Sequence, residues 1–597
     1  MVMPAAVPEA FCIGQPRLTA GLDRLTRIDR AAYHRVFGPL PRRSAQQLIT
    51  MASQVDLRGR GGAGFPFARK LSAVLSATKS RKRAPVVAVN ATEGEPGSVK
   101  DRMLLLRSPY LVLNGALAAA TVLGAQKIVV GVTNSLVGRS VRQAAAAEPA
   151  LRRLVEVVRV PDRFVSGESS SLINAMNGRT PVPQGRKSHA SSSGVASRPT
   201  LLSNAETFAQ LAILTMIGPD GYATAGTAGE PGTVLLTVGG AVDRPAVVEV
   251  PAGVPLGDVL DLCGAGPADG VLVGGYHGSW LTAGEAYDAP VSRAGLAAAG
   301  GTLGAGIVLV LGQGGCAIGE VARVAAYLAK ESSGQCGPCK LGLPSVARSL
   351  VAIAEGSGGV EELDTLRRSA ASVRGRGACS HPDGVSRFVL SAVDVFGDDL
   401  AEHFFRGGCG RKAGASLPLP VAPGELELTV DWTRCQGHGL CAHIVPELVQ
   451  LDQQGFPVML DMPVPPWLDR EARQAVEMCP ALALRLTPAE PSVPARAPLP
   501  PQPAALPRFV PSPSFGGVPP ARALPSQAVP SQALPYPALQ YLALSRPALS
   551  AAPVSSVALS RTELDDDDDV LTGTIVDLDV SEEWIAEISA GRRQTRC

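Results

Sequence analysis

The stretch PVVAVNATEGEPGSVKDR, residues 85–102, sets an apolar β-branched run against an amide, two carboxylates and a Pro-Gly turn. The first half reads as a strand, and the second half then lies at that strand's C-terminal end, where open α/β sheets bind ligands. A surface turn would carry similar residues, so the neighbouring motifs decide. Upstream, LRGRGGAGFP (57–66) places four glycines within six residues just after a predicted helix. Backbone N–H groups without Cβ atoms can form a concave anion site there, or let a planar ring approach the main chain. The loop follows a helix instead of a strand, which disfavours a standard dinucleotide fingerprint and leaves an ordinary glycine-rich turn as the bland alternative. Downstream, FVSGESSSLINAMNGR (164–179) and PTLLSNAETF (199–208) add Glu168, Asn204, Glu206 and Thr207.

Over residues 40–225, predicted helices such as SAQQLITMAS alternate with the runs PVVAVNA, KIVVGV and LVEVVRV, the rhythm of an α/β domain. GTVLLTVGGAVDRPAVVEVPAGVPLGDVLDLCG then predicts short strands, Gly-Ala and Pro turns, and one helix. Helical periodicity returns over 318–405 and points to a bundle. The linker GGCGRKAGASLPLPVAPG leads to a small domain, and after 489 the chain turns to Pro, Ala, Ser and Leu, a composition that cannot offset its ordering entropy. The expected fold class is multidomain α/β and α+β. Its parts are an irregular segment at 1–39, an α/β domain at 40–228, a β-rich module at 229–292, a helical domain at 315–405, a linker at 406–424, a small domain at 425–488 and a disordered tail at 489–597. The tail ends in five aspartates (565–569) and VSEEWIAEISAG, where Trp584, Ile585 and Ile588 share one helix face; it reads as solvated, with a docking segment for a partner as the alternative.

With 55 basic and 53 acidic side chains, the formal charge of +2 gives no field that would favour nucleic acid or an anionic membrane. The N-terminal residues show no secretory pattern, and no apolar window approaches about 20 uninterrupted residues. A soluble, cytoplasmic protein is expected. Eleven cysteines include two short-spaced sets with distant partners, which favours metal or cluster ligation over disulfides. The first set is Cys336 and Cys339 in KESSGQCGPCKLG (330–342), with Cys379 in GRGACSHPDG (375–384). The second is Cys435 and Cys441, with His438 between them, and then Cys479-Pro480. A Cys-Pro pair is a known cluster-ligand context, while a zinc site from Cys435, His438, Cys441 and Cys479 is the alternative. Cys12, Cys263, Cys409 and Cys597 have no partner pattern and read as free thiols, and His443 reads as packed or solvent-facing.

Taken in order along residues 40–405, the glycine loop, N-A-x-E-x-E-P-G with K-D-R, G-E, P-T with N-x-E-T, the β-rich module and the helical cysteine domain resemble the NADH-oxidising flavoprotein subunit of respiratory complex I. Relatives of that subunit occur in NAD-linked hydrogenases and formate dehydrogenases. The resemblance implies a Rossmann-like FMN-binding α/β domain, a β-grasp ligand-binding module and a helical iron–sulfur domain. It also implies that Gly59, Arg60, Gly61, Gly62, Gly64 and Lys70 hold FMN and that Phe65 stacks near the nicotinamide. Asn90, Glu93, Glu95, Gly167, Glu168 and Asn204 then line the cavity shared by FMN and NADH. The chain departs from the family at Thr92 for Asp, Ser169 for the second Glu of G-E-E-T and Ser203 for the first of two Asn. His189 falls near a second expected aromatic. These changes touch the nucleotide side of the cavity and leave the glycine loop intact.

In the family the cluster loop reads E-S-C-G-x-C-x-P-C, so Ser333 stands at a cysteine position beside Cys336, Cys339 and Cys379. Ser333 supplies an alkoxide ligand, or the cluster holds three irons, or Cys316 or His381 substitutes, or no cluster is bound. Residues 425–488 resemble a small bacterial single-cluster ferredoxin. His438 at its central cysteine position implies a three-iron or a histidine-ligated four-iron cluster on Cys435, Cys441 and Cys479. The implied function is transfer of electrons from NAD(P)H through FMN and both clusters to a one-electron acceptor, with no side chain required as acid or base. The implied partners are a pyridine nucleotide and a protein acceptor or membrane-bound redox complex to which the protein is peripheral, with no nucleic acid. Two other readings share these features: an adaptor with a decayed nucleotide site, and the same path reversed from ferredoxin to NAD.

Overall fold

The computed structural model describes residues 8–185, 189–412, 416–420, 426–446, 448–459, 464 and 468–488, and the chain divides into compact units at Pro423 and Gly424. The expected tail at 489–597, with its acidic segment, lies outside the described residues, as does part of the linker.

The N-terminal segment, expected to be irregular, carries strand β1 (Ala10–Cys12) and the helix Arg30–Phe37. A buried carboxylate explains the order between them. Glu249 accepts hydrogen bonds from the backbone N–H groups of Arg17, Leu18 and Thr19 and from the Thr19 and Thr233 hydroxyls, at 2.7–3.1 Å. Strands β2 (Val86–Ala91), β3 (Ile128–Val132), β4 (Val155–Arg159) and β5 (Thr200–Asn204) form a parallel sheet in the order β4-β3-β2-β5. The apolar runs of β2 and β3 are buried almost throughout, as strands covered on both faces must be. Helices Pro109–Leu123 and Ala205–Ala223 cross closely beside the sheet. A Cβ at Gly115 would lie 1.8 Å from the Phe208 carbonyl oxygen, so only glycine permits that crossing. Register places Asn90 beside Asn204 at the C-terminal edge, which brings the two polar motifs of β2 and β5 to one level.

A second, mixed sheet runs β1-β7-β6-β10-β8-β9, from β6 (Thr233–Gly240), β7 (Ala246–Pro251), β8 (Ala268–Val273), β9 (Ser279–Leu281) and β10 (Ile307–Gly312). It extends past residue 292, the expected end of the β-rich module, because β10 is an interior strand between β6 and β8. Helices Ala317–Lys330, Leu343–Ala354, Val360–Ser372, His381–Val395 and Gly397–Arg406 follow and share one apolar core. Between the first two, Pro338–Gly342 forms a π-turn that buries Cys339. No single helix among the described residues is long and apolar enough to cross a membrane.

In the second unit, β11 (Leu426–Val430) pairs antiparallel with β14 (Leu484–Pro488). The short strands β12 (Val449–Leu451) and β13 (Pro457–Met459) form a separate hairpin.

Candidate functional site

A cavity of about 760 Å³ opens at the C-terminal edge of the parallel sheet. Its wall includes Arg60, Gly61, Gly62, Asn90, Glu93, Glu95, Gly167, Glu168 and Asn204, drawn from all four polar motifs. Gly59, Gly64, Phe65 and Lys70 are outside that lining. Phe65 is 49 % exposed, and Lys70 turns away to donate to the Leu202 carbonyl at 2.9 Å. The lysine on the cavity wall is Lys100, from the same K-D-R motif that supplies Asp101. It is buried with Glu206 at 2.8 Å and Asp101 at 3.2 Å. Burial works against its charge, but the two carboxylates hold the ammonium above its ordinary range.

The glycine loop has the bare backbone that a flavin cradle would need. A Cβ at Gly61 would press on Asn204 at 3.3 Å, and Gly62 adopts φ +104°, a backbone open only to glycine at low cost. Arg60 anchors the loop by donating its N–H to Thr207 Oγ1 at 2.9 Å, and its buried Nε lies 3.9 Å from Glu206 Oε1.

Two cavity carboxylates are committed to helix starts. Glu93 accepts from the N–H groups of Asp101 and Arg102 at 2.8 and 2.9 Å, and Glu168 accepts from those of Ser170 and Ser171 at 2.9 Å. Thr92, in the position of the expected Asp, donates its hydroxyl to Asn90 Oδ1 at 2.6 Å; Asn90 in turn donates to the Gly167 carbonyl at 2.9 Å. Glu95 accepts the Tyr276 N–H at 2.5 Å, and burial pushes its carboxyl up to about 8 despite that bond. His189 lines the cavity, as do His277 and His381.

The last two histidines form a pair that sequence reasoning missed. His381 Nε2 lies 2.9 Å from the Leu328 carbonyl, which can only accept, so Nε2 carries the proton and Nδ1 accepts from His277 Nε2 at 2.9 Å. Burial lowers both, His381 to about 4, and the pair is neutral at physiological pH. With both nitrogens engaged, His381 is not free to replace a cluster ligand. The signal lay in GGYH after β8 and in SHPDG, which opens helix His381–Val395, two short segments about 100 residues apart in sequence.

Cys379 also lines this cavity and interacts electrostatically with Cys336 and Cys339. The three thiols of the first set are thus electrostatic neighbours, and of them Cys379 stands on the cavity wall. Burial opposes ionisation at Cys336, yet hydrogen bonds from Ala378 and Cys339 bring it below its ordinary value; burial and the Cys336 charge push Cys339 up to about 12. The hydroxyl that works to lower Cys339 is that of Ser332, the neighbour of Ser333. Cys316 is elsewhere: it caps the N-terminus of helix Ala317–Lys330. That helix is about 21 Å long at about 1.5 Å per residue, and the loop lies beyond its far end.

In the second unit Cys435, His438, Cys441 and Cys479 line one small pocket. Gly437 and Gly439, with φ +69° and +70°, wrap the loop around it. The Ala483 N–H donates to Cys479 Sγ at 3.3 Å, the polarity expected around a ligating thiolate. His443 is exposed.

Comparison with known proteins follows the same division. Residues 52–213 match the family described as Nuo51 FMN-binding domain, residues 319–403 the NADH-ubiquinone oxidoreductase-F iron-sulfur binding region, and residues 428–486 a 4Fe-4S single cluster domain. An NADH-quinone oxidoreductase subunit of Mycobacterium tuberculosis is 29 % identical over 385 residues, covering 61 % of this chain and 85 % of that protein. The NADP-reducing hydrogenase subunit HndC of Solidesulfovibrio fructosivorans is 27 % identical over 419 residues, covering 67 % and 83 %. Among solved structures, an NAD+-reducing NiFe-hydrogenase in the H2-reduced state aligns with a TM-score of 0.59 at 27 % identity, over 67 % of this chain and 68 % of that one.

Proposed function

Because the chain carries the flavin-binding and iron–sulfur regions found in NADH-quinone oxidoreductases and a single-cluster domain after them, we propose that it passes electrons from NAD(P)H through FMN to the first cluster, then the second, and out to a one-electron protein acceptor. The observation that carries this reading is the shared cavity, in which the glycine loop and Cys379 line the same space.

FMN supplies the conversion of a two-electron donor into single electrons. The chain's residues bind and orient. Gly61 and Gly62 offer bare backbone, and Lys100, neutralised by Asp101 and Glu206, lies on the wall beside Asn204. Glu95, protonated near neutrality, adds no negative charge against an anionic dinucleotide. The neutral His277–His381 pair and Phe164, whose ring centroid is 4.8 Å from that of His277, wall the side nearest Cys379.

The finer assignments belong to the same proposal: a flavin domain at 40–228, a β-grasp module from 229, a helical cluster domain at 315–405 and a ferredoxin-like domain at 425–488. Cys336, Cys339 and Cys379 hold the first cluster, with Ser333 as fourth ligand or with three irons. Cys435, Cys441, Cys479 and His438 hold the second. A second reading, delivery of electrons from the ferredoxin-like domain to NAD(P)+, is favoured by the relatives whose names describe NAD+ or NADP reduction.

Anaerobically purified protein should release FMN on denaturation in near-equal proportion to chain. Protein reconstituted with excess FMN that still binds none would defeat this reading and favour an adaptor.

A further inference from the structure

Three segments of the first unit meet on the cavity wall beside Cys379. The turn Gly275–His277 brings His277, helix His381–Val395 opens on His381, and the segment before Gly167 brings Phe164. The Phe164 ring centroid lies 4.8 Å from that of His277 and 5.4 Å from that of His381. The helix grips the turn at three points. His381 accepts from the His277 ring at 2.9 Å, a Cβ at Gly384 would lie 2.3 Å from that ring, and Arg387 donates to the His277 carbonyl at 2.6 Å. Positions three apart on a helix are neighbours on its surface. We infer that His277 and His381 are positioning residues for electron transfer between the flavin and the first cluster: their hydrogen bond fixes Cys379 and thereby sets the reduction potential of that cluster. The inference rests on the reading above that Cys336, Cys339 and Cys379 hold it.

His381 is anchored at both ring nitrogens. Its Nε2 donates to the Leu328 carbonyl at 2.9 Å, in the last turn of helix Ala317–Lys330, where carbonyls lack helical partners. That helix leads into the loop of Cys336 and Cys339. One imidazole therefore ties the Cys379 segment to the helix that delivers the other two cysteines and, through Nδ1, to the cavity turn. The turn has no slack on its other side: the Tyr276 N–H donates to Glu95 at 2.5 Å, and a Cβ at Gly275 would lie 2.2 Å from the Glu95 carboxyl oxygen. Phe164 closes the junction, its N–H held by Glu331 Oε2 at 2.9 Å.

The effect on potential follows from the main chain of the same residue. Burial raises the Cys379 thiol, and the His381 backbone N–H works to lower it. An N–H that favours negative charge on a ligating sulfur also favours the reduced cluster, because hydrogen bonds to the sulfurs are among the terms that set cluster potentials. Whatever fixes the imidazole fixes that N–H. A role in packing alone would be met by any side chain of similar volume at His277, whereas positioning needs a donor at its Nε2.

The test is an anaerobic redox titration followed by electron paramagnetic resonance on full-length, FMN- and iron-loaded wild type, His277→Leu and His277→Gln at matched flavin and iron content. Glutamine keeps an N–H donor near the place of the imidazole Nε2, and leucine has none. In His277→Leu the first-cluster midpoint should fall by about 59 mV, a tenfold shift for a one-electron couple. The second-cluster midpoint in the same sample should stay, and His277→Gln should recover most of the fall. Equal midpoints in wild type and His277→Leu would overturn the inference, as would an equal fall in both variants, which would assign the effect to packing. Wild type labelled with nitrogen-15 histidine gives a reading free of any folding defect: the reduced first cluster should show a nitrogen coupling from the His381 N–H, and its absence would also overturn the inference. Loaded wild type with no first-cluster signal at all would instead defeat the ligand assignment, and the inference with it.

Discussion

Glu95 shows how a single side chain sets the charge of the cavity. Burial pushes its carboxyl up to about 8, so the proton is held in the folded protein over a pH range in which an unfolded chain has lost it. The folded state therefore binds more protons than the unfolded one between the ordinary glutamate value and about 8. The group's contribution to stability is greatest at acid pH and is lost as pH rises through that window. Above it a carboxylate would stand in the wall of the cavity proposed to take an anionic dinucleotide. NADH affinity should fall as pH rises past about 8 in wild type, and Glu95→Gln should flatten that dependence in a fluorescence titration. A variant with the same pH profile would show that Glu95 does not set it. Lys70 and Lys100 illustrate what a sequence shows of a residue and what it does not. Both follow a glycine- or proline-containing turn, but which one reaches the cavity depends on how a helix rolls against β5. Lys70 spends its ammonium on the Leu202 carbonyl, while Lys100 is carried inward between Asp101 and Glu206.

Among the elements, β2 and β3 were legible because a strand buried on both faces must be apolar throughout. The helices were legible from periodicity, as in SAQQLITMAS, which forms Ala45–Gln54. β1 was not, since three residues carry no period and its neighbourhood is ordered by a glutamate more than 200 residues away. Nor could spacing show that His277 and His381 meet, because the packing of a helix on a turn brings them together. Two loops that wall the cavity touch at Gly94, where a Cβ would lie 2.2 Å from the Arg163 carbonyl oxygen and 2.9 Å from that of Phe164. Gly94→Ala should force them apart, at a cost of roughly 1–3 kcal/mol typical of overpacking. Lower bound flavin and an earlier urea midpoint are expected; wild-type values for both would mean that the loops separate freely without consequence to the site.

The full chain is two compact units, and the second carries its own cysteine pocket. A tethered carrier meets its donor at an effective concentration on the order of millimolar for a short flexible linker, so transfer need not await a bimolecular encounter. Truncation to residues 1–423 should leave flavin reduction by nucleotide intact and slow reduction of a one-electron protein acceptor. Equal rates in the stopped-flow would mean that electrons leave from the flavin or the first cluster. The order of units was readable from composition and cysteine spacing, whereas the joining of the glycine loop and Cys379 in one cavity needed the fold. The whole proposed electron path depends on that joining. Its sharpest test is anaerobic titration of the full-length, FMN- and iron-loaded protein with NADH and then NADPH, followed by visible absorbance and electron paramagnetic resonance. At least one nucleotide should bleach the flavin band while iron–sulfur signals grow in step; a fully loaded protein that neither nucleotide reduces would refute the path.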